Sequence, residues 1–252
     1  MTRRAAFGHT EKLPRPNPTE SVMMPPTGRM SGRVRPLIVN ADDFGFATGV
    51  NEGIVDAHVN GILTSTSLMV DWPAAGQAAE LAREHPGLSV GLHYVEDGAE
   101  IDEPGHVART FAAQLARFRD LTGSDPTHVD SHHHVHMSRL ATFAPLVAPL
   151  GVPLRGDGRV RYLGDFYAQP RRGVVELDRV RGPFLLELIA NEAAADGFTE
   201  LGCHPARVTG DLVSSYSRER EVELATLTDQ GVRARIEELG FTLVSYRDWP
   251  ER

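Results

Sequence analysis

Short apolar runs alternate along the chain with segments whose apolar residues recur every three or four positions. The runs have the length and composition of buried strands, and the periodic segments are typical of amphipathic helices. From residue 36 onward they predict a repeated βα succession. Seven or so strands separated by helices favour an α/β fold with a parallel sheet, closed or nearly closed into a TIM-barrel-like (β/α) barrel.

The individual elements follow from these patterns and from the Gly and Pro residues between them. We expect strands at RPLIVNAD, LTSTSLMVD, LSVGLHYV, PTHVDSHHHVH, VPLRG, TELGCHPA and FTLVSYRD. We expect helices at TGVNEGIVDAHVNG, PAAGQAAELAREHPG, VARTFAAQLARFRDLTG, RLATFAPLVAPLG, residues 183–197 and residues 218–239. Gly61 ends the first helix and Pro73 lies near the start of the second, which are common places for these residue types. The segment 156–182 follows neither pattern.

The first 33 residues differ in composition from the rest of the chain. They are rich in Pro, Arg and small polar residues, and they contain no continuous apolar stretch of the kind a secretory signal needs. We therefore expect a disordered N-terminal extension at residues 1–33, followed by a single barrel domain at residues 34–252. Met30, just before the first predicted strand, could serve as an alternative start.

The net charge of −8 is distributed unevenly. Residues 1–41 carry seven basic and two acidic side chains, whereas the rest of the chain carries 19 basic and 32 acidic ones. The excess of acidic residues in 42–252 argues against nucleic acid as a partner. No apolar run is long enough for a transmembrane segment, and the single cysteine, Cys203, excludes an internal disulfide. We expect a cytoplasmic protein that binds a small molecule, and we allow for a homodimer.

Polar residues collect where the predicted strands end. Asp42 and Asp43 lie where the first strand gives way to its loop, His93 follows the apolar LSVGL, and His204 follows TELGC. In α/β barrels the carboxyl ends of the strands meet at one mouth, and the active site is built there. The sequence therefore predicts that these side chains lie near one another.

The histidine run DSHHHVH closes the fourth predicted strand. Because side chains alternate along a strand, Asp130, His132, His134 and His136 would share one face if the strand continues through the run. A neutral imidazole is a good ligand for a divalent metal, and Asp130 could orient a ligating histidine. A carboxylate and two histidines with open positions are what a hydrolytic metal requires.

Simpler interpretations exist for each of these residues. Adjacent aspartates at a strand end often form only a turn or a helix N-cap. His93 could be a buried hydrogen-bonding histidine, His204 could simply end a strand, and Cys203 could be a small buried hydrophobe. All these groups nevertheless fall at the same ends of the predicted strands, and this coincidence favours a functional site.

Two functions other than the one that the motifs described next suggest are compatible with the same residues. The first is another metal-dependent hydrolase, such as a phosphoesterase, for which Arg155, Arg159 and Arg161 would supply the basic groups. The second is a non-catalytic barrel that binds a metal or a sugar. Release of phosphate would identify the phosphoesterase, and turnover separates an enzyme from a binding protein.

Four motifs, NADDFG, GLH, DSHHHVH and CHP, occur in this order with predicted helices between them. Together they resemble the YdjC-like carbohydrate deacetylases, which include chitooligosaccharide deacetylases and proteins associated with hopanoid biosynthesis. The resemblance covers about residues 36–248. It implies a TIM-barrel-like fold and metal-dependent removal of an acetyl group from an N-acetylated sugar, either a chitooligosaccharide or a glycolipid containing N-acetylglucosamine.

The resemblance also implies roles for individual residues. It implies one divalent ion, Mg²⁺ or Zn²⁺, as the cofactor, and no role for His134 or His136. It implies Asp42 as the catalytic base. It implies Asp43, His93 and His132 as the metal ligands, and His204 as the acid or the oxyanion-stabilising group.

The loop after His93, YVEDGAEIDEPGHVA, is strongly acidic. Loops at this face of a barrel usually shape the substrate pocket. We therefore expect neutral N-acetylglucosamine compounds to be preferred to sialylated or phosphorylated ones. The alternative is that the loop is only a solvated surface, whose charges are screened by salt beyond about 10 Å. The acidic residues of the loop are Glu96, Asp97, Glu100, Asp102 and Glu103.

Overall fold

The computed structural model describes residues 35–96, 103 and 105–250, which form seven strands and seven α-helices in near-regular alternation. The strands are β1 (Arg35–Phe44), β2 (Ser65–Leu68), β3 (Ser89–Tyr94), β4 (Val129–Ser131), β5 (Arg161–Leu163), β6 (Thr199–Cys203) and β7 (Phe241–Val244). The helices are α1 (Thr48–Asn60), α2 (Ala75–Glu84), α3 (His106–Thr122), α4 (Leu140–Val147), α5 (Gly182–Glu192), α6 (Arg218–Leu227) and α7 (Gln230–Glu238). Within these ranges no helix combines the length and hydropathy needed to cross a membrane. The predicted extension at 1–33 lies outside the described residues.

The strands form one parallel sheet in the order β4-β3-β2-β1-β6-β5. One edge of β1 pairs with β6, and the other pairs first with β7, from Arg35, and then with β2, from Asn40. Beyond β4 the sheet extends only by an isolated bridge from Val129 to Leu154, and in the described ranges β4 and β5 do not pair. The α/β barrel-like fold is confirmed, but the sheet is an open half-barrel rather than a closed barrel.

The central strand β1 is buried on both faces. Leu37, Val39 and Ala41 belong to the main hydrophobic core, whereas Ile38 packs in a separate small cluster that includes Tyr246. A strand covered on both sides reads as a continuous apolar run, which explains the sequence PLIVNA. Because residues alternate, Asn40 and Asp42 share a face with Ile38, so this face becomes polar toward the carboxyl end.

Three elements differ from the sequence-based expectation. The predicted strand VPLRG contributes only the bridge at Leu154, and β5 lies instead in the segment 156–182, which showed no pattern. The predicted helix at 218–239 is two helices, because the Asp229 side chain accepts a hydrogen bond from the amide of Gly231 (2.7 Å) and starts α7. The predicted strand through the histidine run is wrong, since β4 ends at Ser131.

Candidate active site

The two adjacent aspartates lie in a β-bulge at the end of β1. The pairing of β1 with β2 loses its register between Ala41 and Phe44, and Asp43 has a φ of 70°, in the left-handed region that non-glycine residues rarely adopt. Regular alternation would send the two side chains to opposite faces of the sheet. The bulge instead lets both Asp42 and Asp43 face the same cavity.

This cavity has a volume of about 620 Å³ and opens at the carboxyl ends of the strands. Aromatic side chains form part of its walls, and Arg220 is the one Arg or Lys among the described residues that line it. The structure brings together in this cavity all five residues to which the resemblance gives a role, namely Asp42, Asp43, His93, His132 and His204.

Three of these side chains direct potential ligand atoms at one another. Asp43 Oδ1 lies 3.1 Å from His132 Nδ1 and 3.4 Å from His93 Nε2. Ligands that bind one ion at about 2.0–2.2 Å lie roughly 3.0–3.5 Å apart, so these separations suit a shared metal. The other oxygen of Asp43, Oδ2, accepts a hydrogen bond from Arg220 at 2.5 Å, which leaves Oδ1 turned toward the imidazoles.

His93 is oriented by a carboxylate from the neighbouring strand. Its Nδ1 lies 2.7 Å from Asp130 Oδ1, and its Nε2 is buried with no hydrogen-bond partner among the described residues. A carboxylate that fixes one nitrogen of a histidine, so that the other can bind metal, is a common arrangement in metal sites. A buried nitrogen without a partner is otherwise costly, so the three residues fit a divalent ion.

The local charges also suit a cation. Burial disfavours the charged form of His93, but Asp130, Asp43 and Asp42 outweigh this effect and raise its pKa to about 10. Burial likewise disfavours the Asp43 carboxylate, but Arg220 and the two imidazoles hold its pKa well below the ordinary value. A potential that retains a proton on Nε2 also attracts a metal ion, which would displace that proton on binding.

Asp42 has different partners from its neighbour. Its two oxygens accept hydrogen bonds from both terminal nitrogens of Arg155, at 2.8 and 2.7 Å, and Asn40 donates a third bond at 3.1 Å. Burial would raise the pKa of Asp42, but the guanidinium of Arg155 outweighs it and lowers that pKa. Asp42 is therefore held as an ionised carboxylate in a fixed orientation.

Arg155 is almost wholly buried beneath the cavity and joins three strands. Besides Asp42 on β1, its guanidinium contacts Asp130 on β4 at 2.8 Å and Glu200 on β6 at 2.6 Å. Asp42, His93 and Asp130 form a second cluster of potential ligand atoms, but Arg155 already compensates both of its carboxylates. A cation there would have to displace the guanidinium, so the cluster around Asp43 is better suited to a cation.

The arginines expected for a phosphate site do not reach the cavity. Arg155 is occupied by its carboxylates, Arg159 pairs with Asp157 at 2.7 Å, and Arg161 is an exposed residue of β5. None of the three lines the cavity. The structure thus removes the specific observation that favoured the phosphoesterase alternative.

His204 follows β6 and approaches Asp42 from the other side. Its Nε2 lies 3.9 Å from Asp42 Oδ2, and its backbone amide donates to the buried carboxylate of Glu223. Burial lowers the pKa of His204 to about 4, although the two aspartates act in the opposite direction. At neutral pH the imidazole is therefore uncharged and can accept a proton.

Two glycines of α1 fix the path of the chain after His204. A Cβ on Gly53 would lie 2.5 Å from the Cα of Ala206, and one on Gly49 would lie 2.1 Å from the carbonyl oxygen of Arg207. These distances are too short for any side chain, so only glycine permits this close packing of helix and loop. Gly49 and Gly53 thus help to position the wall of the cavity that carries His204.

The histidine run forms a turn rather than a strand. His133 and His134 both have left-handed φ values, 53° and 54°, so the chain reverses as soon as β4 ends. The expected common face of Asp130, His132, His134 and His136 is therefore wrong. His132 and His134 reach the cavity from the turn, whereas His136 is buried between Ser131 Oγ (2.6 Å) and the carbonyl of Arg155 (3.0 Å) and is structural.

Several residues of the site were not identified from the sequence. Arg220, Tyr216 and Glu223 lie on or just before α6, and Tyr162 and Tyr167 lie on β5 and in the loop after it. None of them belongs to a strand-end motif. The acidic and basic residues of α6 resemble those of a solvated helix, but Glu219, Arg220 and Glu223 are buried.

The fold and the site together define an α/β half-barrel with carboxylates and histidines at its mouth. The family model of the YdjC-like proteins matches residues 36–96 and 99–238, and the chain belongs to this family. A carbohydrate deacetylase of Geobacillus stearothermophilus is 36% identical over 85% of this chain and 98% of its own length. A chitooligosaccharide deacetylase of Salmonella schwarzengrund is 35% identical over 85% of this chain and 99% of its own length.

Solved structures show the same fold. A protein of Enterococcus faecalis V583, described as a candidate cellobiose-phosphate cleavage protein, superposes with a TM-score of 0.69 at 27% identity, covering 85% of this chain and 98% of its own. The Bc1960 peptidoglycan N-acetylglucosamine deacetylase superposes with a TM-score of 0.55 at 10% identity, covering 85% and 87%. The second similarity shows only that the fold is shared.

Proposed function

We propose that the chain is a metal-dependent carbohydrate N-deacetylase, which hydrolyses the amide of an N-acetylated sugar and releases acetate and a free amino sugar. Membership of the YdjC-like family and the deacetylase names of its relatives support this proposal. The observation that carries it is the bulge of β1. The bulge directs two adjacent carboxylates, which have different hydrogen-bond partners, toward the same cavity.

In this proposal Asp43, His93 and His132 hold one divalent ion, Mg²⁺ or Zn²⁺. A bound ion of this kind lowers the pKa of a coordinated water and polarises a carbonyl oxygen. Mixed oxygen and nitrogen ligands suit either ion, so the donor set does not choose between them. Arg220 keeps Asp43 ionised and holds its second oxygen, so that Oδ1 stays directed toward His93 and His132.

Asp42 is the proposed general base. Its lowered pKa keeps it ionised at neutral pH, and Arg155 fixes both oxygens, so the carboxylate is ready to take a proton from the attacking water. His204 is the proposed acid. It is uncharged at rest, and its Nε2 lies 3.9 Å from Asp42 Oδ2, a separation that one bridging water would span, so that the proton taken by Asp42 can pass through that water to His204 and on to the leaving nitrogen.

The two rival functions make different demands on the cavity. A phosphoesterase needs several free cations, but Arg220 is the one Arg or Lys among the described lining residues and is paired with Asp43. The description of the Enterococcus faecalis relative keeps this rival worth testing. A barrel that only binds metal or sugar has no task for a fixed, ionised carboxylate beside the cluster at Asp43.

We further propose a neutral substrate, a chitooligosaccharide or an N-acetylglucosamine glycolipid, and a cytoplasmic location. The acidic loop that suggested neutral substrates is described only in part. Glu96 bonds to Tyr94 and His106, and Glu103 pairs with Arg109, while the remaining acidic residues of the loop lie outside the described ranges. The proposal of a neutral substrate therefore rests on Asp42 and Asp43 within the cavity and on Arg220, which is already paired with Asp43.

The test is acetate release from N,N′-diacetylchitobiose by protein stripped of metal and then supplied with Mg²⁺ or Zn²⁺. We expect no turnover without metal and recovery with one equivalent of an ion. A phosphorylated disaccharide assayed beside it reports phosphate release. Metal-independent acetate release would exclude the proposed cofactor, and phosphate release without acetate would favour the phosphoesterase.

A further inference from the structure

One wall of the cavity is a prearranged pair of tyrosines. The rings of Tyr167 and Tyr216 stack with their centres 4.4 Å apart and their planes 10° from parallel. The Tyr216 hydroxyl accepts a hydrogen bond from the amide of Ala168 (3.0 Å) and donates one to Glu223 (2.5 Å). Tyr216 is therefore fixed at its polar end, and it fixes the plane of Tyr167.

Both tyrosines line the cavity, and Tyr167 is the more exposed of the two. Tyr216 is 4% exposed, whereas Tyr167 is only partly buried. The Tyr167 ring meets the imidazole of His204 edge to face, with the ring centres 5.5 Å apart. Its hydroxyl forms no hydrogen bond with any described residue. A ring held so firmly, partly exposed in the cavity wall and with a hydroxyl that no described residue uses, is suited to binding a ligand that is partly apolar and partly polar.

The position of His204 indicates what that ligand is. On the proposed function, His204 delivers a proton to the leaving nitrogen, and this nitrogen is one bond away from the sugar ring. The pyranose that carries the acetamido group must then lie beside His204, where Tyr167 is the partly exposed aromatic residue. A pyranose with axial C–H bonds presents a flat apolar face, and its equatorial hydroxyls lie at the rim.

We propose that Tyr167, held in place by Tyr216, is the platform on which the acetamido-bearing pyranose stacks. The aromatic face covers the C–H face of the sugar, and the Tyr167 hydroxyl bonds to a sugar hydroxyl. Tyr167 is thus a specificity-determining residue that favours pyranoses with an uninterrupted C–H face. A second aromatic pair, Phe46 stacked on Trp72, lies near Arg220 and makes no ring contact with His204 in the described part of the chain.

The platform is tested with Tyr167→Leu and Tyr167→Phe in the full-length, metal-loaded protein. Stacking stabilises substrate and transition state alike, so its loss raises KM and leaves kcat nearly unchanged. We expect Tyr167→Leu to raise KM for N,N′-diacetylchitobiose about tenfold and Tyr167→Phe to raise it about threefold or less. Metal content and thermal midpoint should match the wild type.

Phe198→Leu is the matched control. Phe198 packs edge to face on Trp249, with ring centres 5.1 Å apart, beside the amino end of β6 and away from the cavity. Its replacement removes a partly exposed aromatic ring without touching the proposed platform, so KM should not change. An equal rise in KM in this variant and in Tyr167→Leu would show a general packing effect and overturn the proposal.

Calorimetric binding of the same disaccharide separates the platform from the proposed function. If the wild type binds the sugar but releases no acetate, the proposed function is wrong. Weaker binding by Tyr167→Leu, with unchanged binding by Phe198→Leu, would then still support the platform. If acetate is released but Tyr167→Leu has wild-type KM and affinity, the platform alone is wrong. If the wild type neither binds nor hydrolyses neutral N-acetylated sugars, both are wrong.

Discussion

The surroundings of Asp42 and Asp43 differ sharply, although the two residues are neighbours in one bulge. Around Asp42, a buried guanidinium binds both oxygens and is itself shared with Asp130 and Glu200. Around Asp43, one oxygen meets Arg220, and the other faces two imidazoles whose positions suit a shared ion. The first region is saturated with internal partners, and the second leaves potential ligand atoms unused.

This difference shows how identical side chains can acquire separate tasks. A carboxylate whose two oxygens are fixed by one arginine stays ionised and oriented, but it has little freedom to bind a metal. A carboxylate with one oxygen turned toward histidines contributes to a cation site. The four predictions below test the contrast, beginning with the change that should do most damage.

Asp43→Asn should abolish both metal binding and turnover. The amide lacks the charge that attracts the cation, and it leaves Arg220 without its partner. Metal per chain is measured by elemental analysis and activity by acetate release. Asp178→Asn is the control, because the Asp178 side chain is fully exposed and should keep both properties. His132→Ala should also lose the ion, and full metal content in either cluster variant would refute this ligand set.

Asp42→Asn should keep the metal and lose most of the turnover. A general base typically contributes roughly 10²–10⁴-fold to the rate, so kcat should fall by about that factor while metal content stays at one ion per chain. The pair of aspartate variants thus separates the two regions directly. Near-normal kcat in Asp42→Asn at saturating metal would mean that another group acts as the base.

Arg155→Met should destabilise the fold rather than act on chemistry alone. It leaves Asp42, Asp130 and Glu200 buried without their shared cation, and breaking a buried ion pair costs about 3–5 kcal/mol. Unfolding by urea gives the free energy. Arg161→Met is the matched control, since its pair with Glu192 is exposed and should contribute less than about 1 kcal/mol. Similar losses in both variants would contradict the buried network.

Glu223→Gln extends the comparison to a buried carboxylate that no guanidinium of the described residues binds directly. Burial raises the pKa of Glu223 from 4.5 to about 7, against the lowering effects of Tyr216, the His204 amide and Arg220. The folded protein therefore holds this proton more tightly than the unfolded chain does. Stability from this group is present below about pH 4.5 and is lost as the pH rises through 7.

Between pH 5 and 8 the free energy of unfolding of the wild type should therefore fall by on the order of 1–3 kcal/mol, and that of Glu223→Gln should not show this fall. Urea unfolding at both pH values measures the difference. Glu221→Gln, an exposed change on the same helix, should follow the wild type. Parallel pH profiles for the wild type and Glu223→Gln would show that Glu223 ionises normally in the folded state.

The sequence was informative about the ends of strands. Asp42, His93 and His204 each follow a run of apolar residues, so their common location follows from the parallel sheet once those runs are recognised as strands. His132 was also placed correctly at the mouth, although the reason given was wrong. The histidine run was expected to be extended, whereas the chain turns at His133 and His134.

The remaining features depend on contacts that leave no local pattern. The bulge at Asp43 arises where the pairing of β1 with β2 loses register, and neither strand encodes that shift by itself. Arg155 was considered as a basic group for phosphate binding, but it is buried and pairs with three carboxylates that are distant in sequence. Arg220 and Glu223 reach the site from α6, whose charged sequence resembles that of a surface helix.

The place of β1 at the centre of the sheet also affects how the protein is made. β1 leaves the ribosome before the other strands, but its partners β6 and β7 begin only at Thr199 and Phe241. Until those residues emerge, this buried strand has an unpaired edge, and contacts so distant in sequence form slowly. We therefore expect the nascent chain to fold only near the end of synthesis and to need protection from aggregation until then.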